Sequence, residues 1–235
     1  SARGHYEARR GSRDQARDYS RKEETRQDGP WEFGNWKAGG KGARTDIVAF
    51  KEAILTGKRK REMVEDFTHE MCKYPKFYDT VRSLYRPRRD QEEFTGCVLL
   101  YGYPGTGKTR YVVENYPEFW EPAIGNGTNW YDGYDGHKVV LFDDFCGKMS
   151  KTPLSVTLKI FDRYVRQVPV KGQHVWWHPD LIFVTSNIHP REWYDWTTRE
   201  PQWPALKRRF KHVYWFRKNG DIEYVDLENF FERPW

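Results

Sequence analysis

The sequence predicts an α/β fold built on a buried parallel sheet, and two observations predict it. First, CVLLY at 97–101, VVLF at 139–142 and LIFVT at 181–185 are short, continuous apolar runs. Segments of helix length separate them, as a parallel sheet requires. Second, the first run leads directly into Gly102-Tyr103-Pro104-Gly105-Thr106-Gly107-Lys108-Thr109. That stretch fits G-x-x-x-x-G-K-[ST], a loop that cradles phosphates between a strand and a helix.

The elements follow in chain order. Residues 1–26 are charged and polar, and 13–24 could form a helix with Ala16 and Tyr19 on one side. Asp28-Gly29-Pro30 marks a turn, and the glycines and lysines of 35–44 read as a linker. Thr45 or Asp46 caps a helix carrying Ile47, Val48, Phe50, Ala53, Ile54 and Leu55, which ends at Gly57. A second helical stretch carries Met63, Val64, Phe67, Met71 and Cys72, and a third spans residues 75–84. Together they suggest a small helical bundle before the basic connector 86–89. After it come the three strands, with a late strand over 213–216. The expected divisions are 1–34, a linker at 35–44, a helical segment at 45–89 and the phosphate-loop domain at 90–235.

Composition narrows the partners. The chain has 235 residues, 37% of them hydrophobic, enough for a real core. Aromatics make up 17%, and rings can fill a core or stack on bases. The net charge of +6 favours a polyanionic partner without requiring one. Three widely spaced cysteines suggest neither a disulfide framework nor a zinc site. No apolar run is long enough to span a bilayer, so no membrane partner is expected. The chain opens on Ser1 rather than Met, so it reads as part of a longer protein.

The phosphate loop carries the chemistry. Gly102, Pro104, Gly105, Thr106 and Gly107 let backbone N–H groups close around phosphates, and the following helix adds partial positive charge. Lys108 reaches the β- and γ-phosphates of ATP, and the Thr109 hydroxyl binds Mg²⁺. Strand 139–142 ends in Asp143-Asp144. A carboxylate there holds the metal, assigned to Asp143, while Asp144 orients or deprotonates the attacking water. Strand 181–185 ends in Ser186-Asn187. Asn187 could sense the γ-phosphate, although Ser-Asn is also a common turn. The basic run Leu206-Lys207-Arg208-Arg209-Phe210 could present an arginine to a neighbouring subunit or form a solvated helix face. Residues 168–177 read as a β-hairpin with Lys171, Gly172, Gln173 and His174 at its tip, where Lys171 and His174 could hold a phosphate backbone.

Taken together, GYPGTGKT at 102–109, VVLFDD at 139–144, KGQH at 171–174, FVTSN at 183–187 and ALKRRF at 205–210 resemble a known family. They are similar to the replication-initiator proteins (Rep) of circular single-stranded DNA viruses of the circovirus and cyclovirus kind. WYDGYDG at 130–136 fits the same proteins. The resemblance implies an AAA+-like superfamily 3 helicase motor working as a hexameric ring around single-stranded DNA in the host nucleus, moving 3′ to 5′. It matches Lys171, Gly172 and His174 to the pore hairpin, and Asn187 to the sensor. It matches Arg209 to the arginine finger, with Arg208 as the alternative, and 45–86 to the oligomerisation segment.

Asp18-Tyr19-Ser20-Arg21-Lys22-Glu23 resembles the last motif of the family's HUH endonuclease domain, which makes Tyr19 a candidate nicking nucleophile. The His-hydrophobe-His metal motif is absent, so this chain alone is not expected to nick DNA. Rival readings are a nucleotide-dependent packaging or switch protein without unwinding, a DNA-binding module with a dead phosphate loop, and a related RNA helicase. Tyr19 and its neighbours argue against the last.

Overall fold

The computed structural model describes residues 15, 18, 19, 21, 24, 29, 44–88, 94–123 and 131–232. It divides into two compact units, Ser1–Phe50 and Lys51–Trp235. In the first, Gln15, Asp18 and Tyr19 are helical and Gly29 has the positive φ expected of a turn residue, +92°. Most of the expected 13–24 helix and of the linker lies outside the described residues. Helix α1 (Thr45–Leu55) spans the boundary between the units. It starts at Thr45, so Asp46 sits in the first turn, where a carboxylate suits the helix dipole. Asp46 also accepts hydrogen bonds from the Arg44 guanidinium, at 3.1 Å to Oδ1 and 2.6 Å to Oδ2.

In the second unit the expected middle helix is two: α2 (Lys60–Asp66) and α3 (Thr68–Lys73). Phe67 breaks the run with φ −134° and ψ 44°, and its N–H closes α2 on the Met63 carbonyl. Apolar spacing alone could not reveal that one-residue corner. Helix α4 (Pro75–Leu84) starts on a proline, whose missing N–H is no loss in a first turn.

The sheet holds five strands: β1 (Gly96–Gly102), β2 (Val139–Phe142), β5 (Leu181–Ser186), β6 (Phe210–Phe216) and β7 (Ile222–Val225). Their order is β2-β5-β1-β6-β7. Every neighbouring pair is parallel except β6 and β7. The late strand is longer than expected, and β7 has no counterpart in the sequence reading because three of its four residues are exposed.

Alternate residues of the central strands enter two cores, as the pleat dictates. Leu99, Phe142 and Val184 pack on one face among Phe145, Phe161, Trp177 and Trp193. Val98, Leu100, Leu141 and Phe183 pack on the other, under Val112 of helix α5 (Lys108–Asn115). Burial on both faces explains why these strands are continuously apolar. Helix α6 (Leu154–Ile160) leads to the separate hairpin β3 (Arg166–Val170) and β4 (Gln173–Trp177). Helices α7 (Trp203–Lys207) and α8 (Leu227–Glu232) complete the fold.

Candidate nucleotide site and hairpin

Residues from three strand ends meet at the C-terminal edge of the sheet, where ligands bind in open α/β folds. Gly102 ends β1 so close to β6 that a Cβ would lie 2.3 Å from the Phe216 carbonyl oxygen, which only glycine avoids. Gly107 immediately precedes α5 with φ +91°, a left-handed turn into the helix that suits glycine. The loop folds back on itself through the Thr106 hydroxyl, which donates to the Tyr103 carbonyl at 2.8 Å. The backbone around Pro104 and Gly105 stays exposed, open to a ligand.

Lys108 is only 5% exposed. Its ammonium donates to the carbonyls of Gly102 and Tyr103 at 2.9 and 2.8 Å, and to Asn187 Oδ1 at 2.7 Å. Burial pulls its pKa below the usual lysine range, while the carboxylates of Asp144 and Asp143 pull it back up. The Thr109 hydroxyl donates to Asp143 Oδ1 at 2.7 Å. Asn187 Nδ2 donates to Asp144 Oδ1 at 3.1 Å, so the amide bridges Lys108 and Asp144. Asp144 has φ +45°, unusual for a residue other than glycine and frequent where chemistry demands an aimed side chain.

The five residues, expected from separate motifs, therefore form two hydrogen-bonded groups, Lys108–Asn187–Asp144 and Thr109–Asp143. Thr185, which the motifs did not single out, joins them into one cluster. Fully buried, it donates to Asp143 Oδ1 at 2.7 Å and accepts the Asp144 N–H at 2.8 Å. The only signal for it was its place two residues before Asn187.

Arg209 lies elsewhere. Its carbonyl accepts the Cys97 N–H, at the start of β1, whereas Lys108 follows the end of β1. Seven residues of strand put about 20 Å between those ends. The Arg209 guanidinium is half-buried and already engaged, with Asp162 Oδ2 at 2.7 Å and the Leu158 carbonyl at 3.2 Å. Arg208 is exposed. Both line a basic cavity of about 350 Å³ with Arg163 and Lys211.

The hairpin is present, but its tip is shorter than expected. Only Lys171 and Gly172 turn between β3 and β4, because Val170 already pairs with Gln173 and Pro169 with His174. Gly172 takes φ +79° at the turn. Lys171, Gly172 and His174 are exposed. Of the two tryptophans at the base, Trp177 is buried and donates to the Ile160 carbonyl at 2.8 Å. Trp176 instead donates to the Ser83 carbonyl of α4 at 3.1 Å. Tyr19 lies in the other compact unit with its ring exposed.

Comparison with known proteins agrees with this geometry. Residues 98–188, which contain the whole cluster, match an RNA helicase family model. The replication-associated protein of canary circovirus is 32% identical over 176 residues, covering 74% of this chain and 57% of that protein. Over most of its length the chain is similar to the Rep proteins of circular single-stranded DNA viruses. Rep of beak and feather disease virus is 32% identical over 164 residues, covering 70% of this chain and 53% of its own. For porcine circovirus 1 the figures are 34% over 142 residues, 59% and 43%. The chain spans about half the length of the Rep proteins it matches. Its helicase-type domain is a nucleotide-binding domain. Among the described residues, no helix is long and apolar enough to cross a membrane.

Proposed function

We propose that the chain is the ATP-hydrolysing DNA helicase part of a viral rolling-circle replication initiator, acting as a homo-oligomeric ring, most simply a hexamer, on single-stranded DNA in the host nucleus. The observation that carries this reading is the convergence of Lys108, Thr109, Asp143, Asp144 and Asn187 in one hydrogen-bonded network joined through Thr185. In the full-length protein, Tyr19 would supply the nicking nucleophile.

The residues divide the work. Lys108 brings a positive charge into a largely buried site, where it attracts the β- and γ-phosphates more strongly than in water. Asp144, aimed by Asn187 and by its own N–H bond to Thr185, orients the attacking water and takes its proton. Thr109 and Asp143 would hold Mg²⁺, which neutralises phosphate charge when bound. Their pairing through one Asp143 oxygen suits that ion, which takes few protein ligands and draws the rest from phosphates and water. Among the described residues, no group of three or more His, Cys, Asp or Glu side chains is placed as a self-sufficient metal cage.

An arginine about one strand length from Lys108 cannot serve the nucleotide on its own subunit. It suits a neighbour's instead. Arg209 is tied to Asp162, so exposed Arg208 is the better finger and Arg209 its support. This reverses the order of preference implied by the resemblance.

The test is strand displacement on a forked DNA with ATP and Mg²⁺. Unwinding that requires both nucleotide and Lys108 supports the proposal. DNA-stimulated hydrolysis without displacement would favour the packaging or switch reading. Mixing Lys108→Ala and Arg208→Ala subunits adds a second readout. Each variant alone should be inactive, but mixed rings regain hydrolysis where an intact cradle meets an intact Arg208. No regain at any mixing ratio excludes Arg208 as a finger acting between subunits.

A further inference from the structure

The segment 131–136 is a tandem repeat, Tyr-Asp-Gly-Tyr-Asp-Gly, and both copies are built alike. Tyr131 and Tyr134 are buried against Trp120 and Trp177. Each is followed by an aspartate, then by a glycine with φ +81° or +74°. The two aspartates hold different partners. Asp135 accepts the Tyr78 hydroxyl of α4 at 2.8 Å and the N–H of Lys60 at the start of α2. Asp132 holds the hairpin tip. Its Oδ1 accepts the Lys171 N–H at 2.8 Å, and its Oδ2 lies 3.7 Å from the Lys171 ammonium.

One carboxylate thus takes both the peptide N–H and the charge of Lys171. Those are the donors a phosphodiester oxyanion would seek at the same place. The pair is open to exchange, since the side chains of Lys171 and Asp132 are 81% and 38% exposed. The carboxylate itself cannot retreat far. Tyr131 is 3% exposed, and its N–H is bonded to the Pro169 carbonyl of β3 at 3.1 Å.

We infer that Asp132 is a latch on the DNA-contacting hairpin, occupying its tip until a DNA phosphate displaces it. This rests on the reading that Lys171 contacts DNA. When a phosphate takes Lys171, the anchored carboxylate stays beside it and repels it, so the latch weakens binding and sets a threshold for engaging the strand. Asp132 is a positioning residue and touches no reacting atom.

The test measures binding of a fluorescein-labelled oligothymidylate to the whole chain by fluorescence anisotropy, at low salt and without nucleotide. Asp132→Asn keeps an oxygen for the Lys171 N–H but loses the charge. It should bind about two- to fivefold tighter, the size of one exposed ion pair. Its melting temperature and basal hydrolysis should be unchanged. Lys171→Ala should bind more weakly, and adding Asp132→Asn to it should bring little further gain. An unchanged affinity for Asp132→Asn, with Lys171→Ala still weakened, overturns the latch. So does an equal gain with and without Lys171, which would mean a diffuse field effect. If Lys171→Ala alone leaves affinity unchanged, the DNA-contact reading of the hairpin fails first and the latch falls with it.

Discussion

The nucleotide cradle and the hairpin tip are each built on a lysine and an aspartate, used in opposite ways. In the cradle, Lys108 is 5% exposed and its ammonium is held by three oxygens from β1, the phosphate loop and the residue after β5. Asp143 is fixed by hydroxyls from two elements, Thr109 and Thr185. At the tip, the Lys171 side chain is 81% exposed and meets one carboxylate at 3.7 Å. The cradle is preorganised, as a site that stabilises charge in a transition state must be. The tip is held by a contact that solvent or a phosphate can replace, as the proposed grip on a strand requires. Chemistry calls for over-determined side chains, whereas movement calls for replaceable ones.

The sharpest way to break this comparison is to remove each lysine in turn. Lys108→Ala should lower nucleotide turnover by roughly 10²–10³-fold, the cost of losing one preorganised donor to developing charge. Its melting temperature should stay within a few degrees of the parent, because the lost cation was an unfavourably buried one. Lys171→Ala should leave turnover without DNA unchanged. Equal losses in the two variants, measured by phosphate release, would mean that tip and cradle are not separate devices.

The arginine pair extends the contrast to the other end of the sheet. Arg209 and Asp162 are each 14% exposed, so Arg209→Ala leaves a largely buried carboxylate with no close cation, only the Arg163 N–H at 2.8 Å and Arg166 at 3.7 Å among the described residues. A loss of about 3 kcal/mol is expected in urea unfolding. Arg208→Ala should leave stability within about 0.5 kcal/mol of the parent. If Arg208→Ala destabilises as much as Arg209→Ala, Arg208 is structural and cannot be reserved for a neighbour.

How much of this was legible in the sequence follows from the range of each interaction. The cradle was legible because its parts are local signatures: a loop between a strand and a helix, and polar residues just past apolar runs. The central strands were legible because burial on both faces keeps them continuously apolar. Strand β7 was not, since only Val225 of its four residues is buried. The corner at Phe67 was hidden inside an unbroken apolar spacing. The pairing of Arg209 with Asp162 joins residues 47 positions apart, and Asp132 with Lys171 spans 39. Periodicity carries no information about such partners, so neither contact could be read from the sequence. The hairpin tip was misjudged by two residues because Gln173 and His174 are polar and exposed yet still pair with β3.

The smallest expected effect concerns acid, and it lies on the cradle's side of the molecule. His189, two residues beyond Asn187, is 1% exposed and packs against Phe230 and Tyr101. Burial pushes its pKa down to about 4, although its bond to the Phe230 carbonyl works the other way. The unfolded chain therefore binds this proton more readily than the folded one. The stability tied to neutral His189 is fully present above pH 6.5 and is lost as pH falls toward 4. From pH 7 to pH 5.5 the loss is roughly 1–2 kcal/mol by linkage. His189→Gln should start less stable at pH 7 but show a flatter pH dependence across that window in urea unfolding. If His189→Gln falls as steeply as the parent, the acid sensitivity has another source and the packing behind the cradle does not hold His189 neutral.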